Sequence, residues 1–372
     1  MKILPQIIDQ IGPGIDLSNQ PDGVSIDMSD PVRDFEYARN AVTMTFDLFG
    51  CENVRLAFQA LEYGDEPHAP PPGPFGDDVN FDGVAISGDG VDWYEIQDLR
   101  HLRSDRYTFF DIDLDAAVAA VGLTYGTAFR IRFCQYDNNP APMDGFSIRG
   151  IEVTGDQDAS LVLHLAMNDN AANPTVADSS PGGHDQTLVD PGGDPNTNAH
   201  SVPGVVGTAL TVSKDGYIDC GNVVDAAFAE NHDFAVAFWW KSVQEGVTYD
   251  SAVSTMTADN SVGVLWFTHD GNMRCWVDHV GVFTHHWSWA GGDDGVWHHY
   301  VAQRSGARIE IWRDATLAMS DDGAANTASL VGEGLSIGRS ASGKLAAGTV
   351  DDFRVYDRAL TEAEILAIAA AS

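Results

Sequence analysis

The sequence predicts an all-β protein of two β-sandwich domains in tandem, closed by one short C-terminal helix. Three observations carry that prediction. Short runs alternate apolar and polar residues, as half-buried strands require: Met44, Phe46 and Leu48, then Val54, Leu56, Phe58 and Ala60, then Phe129, Ile131 and Phe133, then Phe234, Val236, Phe238 and Trp240. Loops separate these runs, with hardly any helical pattern between them. At 372 residues the chain exceeds one average domain, and a body of that size buries roughly 75% of its unfolded surface, enough for two cores without cross-links.

Taken in order, residues 1 to about 40 are weakly patterned and rich in Asp, Pro and Gly, and read as an arm leading into the first strand. A Pro-rich excursion from Gly64 to Asp78 follows. Asp82 to Ile96 reads as a hairpin turning at Gly88-Asp89-Gly90, with Trp93 packed beneath it, and Asp113 to Leu123 as one short helix. The polar stretch from Gly155 to Ser160 places a boundary there, giving domains 1–156 and 157–372. In the second domain Gly216 reads as a hairpin bend and Ser305-Gly306 as another. The alternation from Val350 to Tyr356 puts Asp351, Phe353 and Val355 on one face and Asp352, Arg354 and Tyr356 on the other. Thr361 with Glu364 forms a capping box, so a helix from Glu362 to Ala370 ends the domain, with Ile365 and Leu366 packing back.

The net charge of -35 comes from 55 acids against 20 bases, 43 of the acids being Asp and 4 of the bases Lys. A field of that sign repels nucleic acid and anionic lipid and offers carboxylates to hard cations such as Ca²⁺; excess Asp also keeps a surface hydrated in a salty medium with no specific ligand implied. No run of 18 apolar residues spans a membrane, and the start, MKILPQIIDQ, lacks the apolar run of a signal peptide. Cys51 with Cys134, and Cys220 with Cys275, could each form a bridge, although Cys134 lies on the Arg130 and Arg132 face of its strand; no CxxC spacing suggests zinc.

Catalytic signatures are missing. There is no HExxH, no GxSxG, no P-loop, no dinucleotide fingerprint and no Glu-x-Asp-x-Glu strand of the kind that aims two carboxylates at a sugar. His285-His286 and His298-His299 face opposite ways in each pair, so neither pair chelates one ion by itself.

The ordered phrases LVLHLAMNDN, TVADSSPGGHDQTLV, GVVGTALTVSKDGYIDCG, FAVAFWWK, GVWHHYVAQRSGARIEIWRD and VDDFRVYDRALTEAEI together resemble a laminin-G-like domain of the concanavalin lectin/glucanase type. EYGDEPH, DGVAISGDGVDWY, FFDIDLDAAVAAVGL and RFCQYDNNPAPMDGFSIRGIEV resemble a jelly-roll module of the MAM type found in bacterial surface proteins. The first resemblance implies that Leu161 to Leu165 lies beside Val350 to Tyr356, and that a structural Ca²⁺ sits between the first strand and an Asp of the last. Asp351 is the first candidate ligand, because an unpaired buried carboxylate is too costly to leave charged, with Asn168, Asp169 and the carbonyls near Gly207 as partners; the same carboxylate could instead accept loop N–H bonds with no ion. A looser second set is Glu62, Asp65, Glu66 and Asp144. For a ligand, Trp287 and Trp289 in VFTHHWSWAGGDDG are the candidate sugar-stacking residues.

These features together predict a non-catalytic, extracellular or surface-displayed adhesion or carbohydrate-binding protein, stabilised by calcium, whose partner is a glycan or a surface protein. Two alternatives stand beside it: a structural subunit of a self-assembling fibre or coat, associating through the N-terminal arm, and a polysaccharide hydrolase whose site is assembled from distant loops.

Overall fold

The computed structural model describes residues 2–5, 7–11, 15–20, 23–29, 38–63, 66–137, 145–213, 216–243 and 250–370. The chain forms two compact units, Met1–Asp158 and Ala159–Ser372. Each is a β-sandwich.

The first unit packs two antiparallel sheets. One has the strand order Ile15–Gln20, Gly23–Ser29, Gly145–Asp156, Glu52–Glu62, Thr108–Asp113, with Lys2–Ile3 also paired to Gly145–Asp156; the other runs Ile7–Ile11, Ala38–Phe46, Phe129–Asp137, Gly83–Ser87, Tyr94–Asp98. The alternating residues expected from the sequence, among them Met44, Leu56, Phe58, Phe129, Ile131 and Phe133, meet between the sheets in one buried cluster. The N-terminal arm departs from expectation. Ile7–Ile11 pairs with Ala41–Thr45, and Ile15–Gln20 pairs with Gly23–Ser29, which in turn lies against Gly145–Ile151. Backbone pairing to the chain's own sheets supplies the order that weak side-chain patterning hides.

The Pro-rich excursion has a structural task. Phe75 and Trp93 exchange two main-chain hydrogen bonds (3.0 and 2.9 Å), and Phe75, Phe81 and Trp93 bury Ala41, Ala85 and Cys134 on the outer face of the second sheet. Arg132 lies 3.8 Å above the Trp93 ring, a cation–π contact in a desolvated place. The short helix spans Leu114–Val121, capped by the Asp113 side chain and ended by Gly122 at φ 72°.

The second unit also has two antiparallel sheets. The first has the order Ser201–Pro203, Thr208–Val212, Gly348–Tyr356, Phe234–Ser242, Trp297–Ser305, Arg308–Arg313, Thr316–Asp322; the second has Thr175–Val176, Gln186–Val189, Tyr217–Gly221, Leu335–Ile337, Asp250–Ser254, Val262–His269, Asn272–His279, Phe283–Ala290. Leu161–Leu165 joins the first sheet beside Gly348–Tyr356, with Leu161 opposite Tyr356 and Leu165 opposite Phe353. The two ends of the domain are thereby tied by main-chain hydrogen bonds, as expected. Gly216 is not a hairpin bend: Thr208–Val212 pairs in the first sheet and Tyr217–Gly221 in the second, so the chain changes sheets there. All four cysteines are buried and none is in a disulfide, so neither suggested bridge forms.

The last strand carries a bulge. Ala237 is opposite Arg354 but Trp239 is opposite Asp351, so one residue on the central strand faces two on the last, and Asp352 takes a left-handed φ of 44°. One extra residue reverses the parity of a strand. Val350, Phe353 and Val355 therefore point into the core, whereas Asp351 shares the opposite face with Trp239. The simple alternation had placed Asp351 with Phe353.

The helix Glu362–Ala369 begins with the expected capping box, Thr361 accepting from Glu364 N–H and Glu364 accepting from Thr361 N–H. Ile365 and Ile368 are its buried residues and Leu366 is exposed, a correction to the expected pair, because i and i+3 share a face where i and i+1 do not. Removing the cap with Thr361→Ala is expected to lower unfolding stability by about 1 kcal/mol, read as a shifted denaturant midpoint with an unchanged slope.

Candidate functional site

Two places in the second unit bring chemistry-bearing residues together. The first surrounds Asp351, which is completely buried. Its Oδ2 accepts hydrogen bonds from Val205 N (2.6 Å) and Val206 N (2.9 Å), in the loop joining Ser201–Pro203 to Thr208–Val212. Two glycines let this loop fit. A Cβ on Gly204 would lie 2.4 Å from Asp351 Oδ2, and one on Gly207, already at φ +73°, would lie 2.4 Å from Asn168 Oδ1. Asn168 Oδ1 accepts from Thr208 N at 2.7 Å.

The predicted ligands thus gather around one loop, with Asp351 and Asn168 on it and Asp169 turned toward Ala177 N at 3.1 Å. Asp351 Oδ1 is buried with no hydrogen-bond partner among the described residues. Burial pushes the Asp351 carboxyl up to about 8, with the neighbouring Asp352 adding to the rise and the loop N–H groups opposing it. A buried carboxylate oxygen of this kind is of the type that a hard cation accepts, whereas the Asn168 and Asp169 side-chain oxygens are engaged with main-chain N–H groups. Of the second predicted set, Asp65 and Asp144 lie outside the described residues. Glu62 is buried, accepts from Leu102 N, and is raised above its ordinary value chiefly by desolvation; Glu66 is half-buried.

The second place is the outer face of the second sheet. On the strands Val262–His269, Asn272–His279 and Phe283–Ala290, Val264, Trp266, Met273, Cys275 and Val277 belong to the core. Their alternate residues point the other way. Leu265 is opposite Trp276, Trp276 is opposite His286, and Phe267 is opposite Arg274. Here Leu265, Phe267 and Trp276 form the floor of a cleft of about 270 Å³, walled by Ser340, Ser342 and Lys344 on one side and Asn260 on another. The serine wall is a tight loop: Ser340 N donates to Lys344 O (2.8 Å), Gly343 N to Ser340 O (2.9 Å), and the Ser340 and Ser342 hydroxyls are 2.9 Å apart. Phe267 meets Trp276 edge to face at 4.8 Å, and His286 stacks on Trp276 at 4.3 Å. His286 Nε2 is held by Asp278 Oδ2 at 2.8 Å, and desolvation raises the Asp278 carboxyl against that contact.

Trp287 and Trp289 lie on the same edge strand as His286 but on its inner face, half-buried against the core. Trp289 packs edge to face on Tyr300 at 5.6 Å, and the Trp287 Nε1 is enclosed. The outward residues of that strand are Thr284, His286, Ser288 and Ala290. Sequence reasoning passed over Trp276, yet the signal was present: Met273, Cys275 and Val277 are uniformly apolar, so the mixed set Arg274, Trp276 and Asp278 must face out. His299 is buried beside Trp239, and burial lowers its imidazole to about 4; the hydrogen bond to Asp314 raises His298, which also meets Asp294.

Among solved structures, the chain is similar to the binding domain of botulinum neurotoxin DC in complex with rat synaptotagmin II (13% identity over 56% of this chain and 50% of that one, TM-score 0.40). It is also similar to the binding domain of Paraclostridial Mosquitocidal Protein 1 (14% identity, 56% and 51%, TM-score 0.43). A structure of botulinum neurotoxin type C, described as dependent for cell entry on two ganglioside molecules, is similar at 12% identity (56% and 50%, TM-score 0.41). The chain spans about half the length of these structures. No curated protein sequence matches it. Residues 212–366, which include the strands that bear the cleft and the strand that bears Asp351, match the laminin-G family described as the concanavalin A-like lectin/glucanases superfamily.

Proposed function

We propose that the protein is a non-catalytic carbohydrate-binding protein of the adhesion kind, displayed outside the cell, and that saccharide binds in the cleft on the outer face of the second sheet. The observation that carries this is the lining of the cleft. Trp276, partly exposed and packed against the buried Leu265 and Phe267, offers an apolar surface to a sugar ring, and a wall of hydroxyl, amide and ammonium groups suits sugar hydroxyls. Among the described residues no Asp or Glu lines the cleft, whereas glycosidic cleavage needs a pair of them; this supports holding over hydrolysis. A calcium ion at Asp351 Oδ1 is part of the proposal, holding the Gly204–Gly207 loop to the last strand.

Trp276→Ala is expected to weaken binding of a panel of polysaccharides by about 10- to 30-fold, as loss of a buried aromatic anchor does, measured by affinity electrophoresis or calorimetry. The double change Trp287→Ala and Trp289→Ala is expected to act mainly on stability, because both rings pack on the core. Binding that survives Trp276→Ala and is lost in the double variant with the melting temperature preserved would move the site to the sheet edge.

A further inference from the structure

We infer that the cleft selects saccharides bearing a carboxylate or sulfate, and that Arg274 is the side chain that reads the anion. This rests on the proposal that the cleft binds saccharide and names the class it takes. Arg274 stands on the outer face beside the floor: it is directly opposite Phe267, and two residues before Trp276 on the same strand. Residues two apart on a strand bring their Cβ atoms to about 7 Å, so a guanidinium here reaches a group seated on Trp276.

What singles out Arg274 is the absence of a partner. The other described arginines of this unit are engaged: Arg304 with main-chain carbonyls, Arg308 with Glu310, Arg313 with Asp314, Arg354 with Asp352, Arg358 with Glu364, and Arg339 with the Tyr217 ring at 4.7 Å. Among the described residues Arg274 makes no hydrogen bond or ion pair, and its Nε is enclosed without an acceptor. Its neighbours on the outer face are Asn272, Phe267, Ser288 and Trp276, none of them acidic.

In a chain of net charge -35, where 55 acids compete for 20 bases, an arginine without a carboxylate is conspicuous. The overall field opposes anions at long range but is screened beyond about 8–10 Å at ordinary ionic strength. A local planar fork with free donors then decides, and guanidinium pairs bidentately with carboxylate or sulfate. Arg274 stands beside the cleft without lining it, and Lys344, one of the four lysines of the chain, lines it and adds positive charge next to Arg274.

The test uses the full chain and three oligosaccharides of equal length, a neutral glucan, an oligogalacturonate and a sulfated glycosaminoglycan fragment, titrated calorimetrically at 50 and 300 mM NaCl. The wild type is expected to prefer at least one of the acidic oligosaccharides over the glucan by about 10-fold or more, with affinity falling as salt rises. Arg274→Gln should lose about 10- to 100-fold toward that ligand, leave the neutral ligand unchanged, and reduce the salt dependence to the part that Lys344 carries; Arg274→Lys should recover part of the affinity. Because Arg274 has no partner, its variants should melt with the wild type. A wild type that prefers the neutral glucan, or an acidic preference unchanged in Arg274→Gln, overturns the role of Arg274 while leaving the cleft intact. Binding of any of the three that is insensitive to Trp276→Ala overturns the cleft itself, and failure to bind any of them overturns both.

Discussion

Arg304→Ala is expected to destabilise the second unit by about 3–5 kcal/mol, the largest effect of any single substitution considered. Arg304 is fully buried, and its guanidinium donates from three nitrogens to the carbonyls of Ala229, His232, Asn326 and Ala328. One side chain thus satisfies the loop after the 3-10 turn Asp225–Phe228 and the one after Ala324–Thr327, tying both to the strand Trp297–Ser305. No carboxylate neutralises it at contact distance. Burial lowers its pKa, with Asp233 acting in the other direction, and carbonyl dipoles carry the compensation. Truncation strands up to four buried acceptors, each costing about 1–3 kcal/mol when it finds no other donor. Arg304→Lys keeps the charge but not the planar fork and should cost roughly half as much. Urea unfolding of the variants is the measurement; a shift under 1 kcal/mol for Arg304→Ala would mean that the loops find other donors.

The second large effect is a pH dependence centred on Asp351. Its folded-state value, about 8, lies above the ordinary 3.8, so the folded state holds a proton that the unfolded state releases as pH rises. Stability from this group is full below the unfolded value and is lost as pH climbs from about 4 toward 8, at about 1.4 kcal/mol per pH unit. In chelator, therefore, the wild type should weaken steadily across that window. Asp351→Asn should flatten this component, because an amide oxygen can still accept from Val205 and Val206 and the amide nitrogen carries no charge to bury. Asp82 in the first unit, raised by burial to about 6 and contacting His68, contributes with the same sign, so the comparison with Asp351→Asn is what isolates the site. Excess Ca²⁺ at pH 8 should restore about 2.7 kcal/mol at a hundredfold over its dissociation constant, and should do nothing for the asparagine variant. A chelated wild type whose stability profile matches that of Asp351→Asn would remove the buried proton, and a calcium response that persists in the variant would move the ion elsewhere.

Much of the architecture could be read from residue order. Alternating runs such as Phe129 to Phe133 gave strand and face together, since Phe129, Ile131 and Phe133 alternate with Arg130 and Arg132. Thr361 and Glu364 announced the last helix because the capping box is local chemistry. The arm before residue 38 was illegible for the opposite reason: its strands are held by main-chain pairing to Ala38–Phe46 and Gly145–Asp156, and main-chain donors leave no mark in side-chain type. Trp287 and Trp289 attracted attention as an aromatic pair, yet the inner edge of a sandwich also wants aromatics, and the small polar set Thr284, His286 and Ser288 was the better guide to what faces out.

By itself the sequence determined that the protein is all-β and where most of its strands and its last helix lie; periodicity and capping are short-range properties, and short-range properties survive in a list of residues, whereas the pairing of Leu161–Leu165 with the last strand was expected from the family resemblance. Only the tertiary structure decided where Asp351 points, which aromatic floors a cleft, and which arginine is left without a partner. Each of these depends on a register between strands far apart in the chain. A single inserted residue at Asp352 exchanges one face for the other without changing the composition of the strand at all.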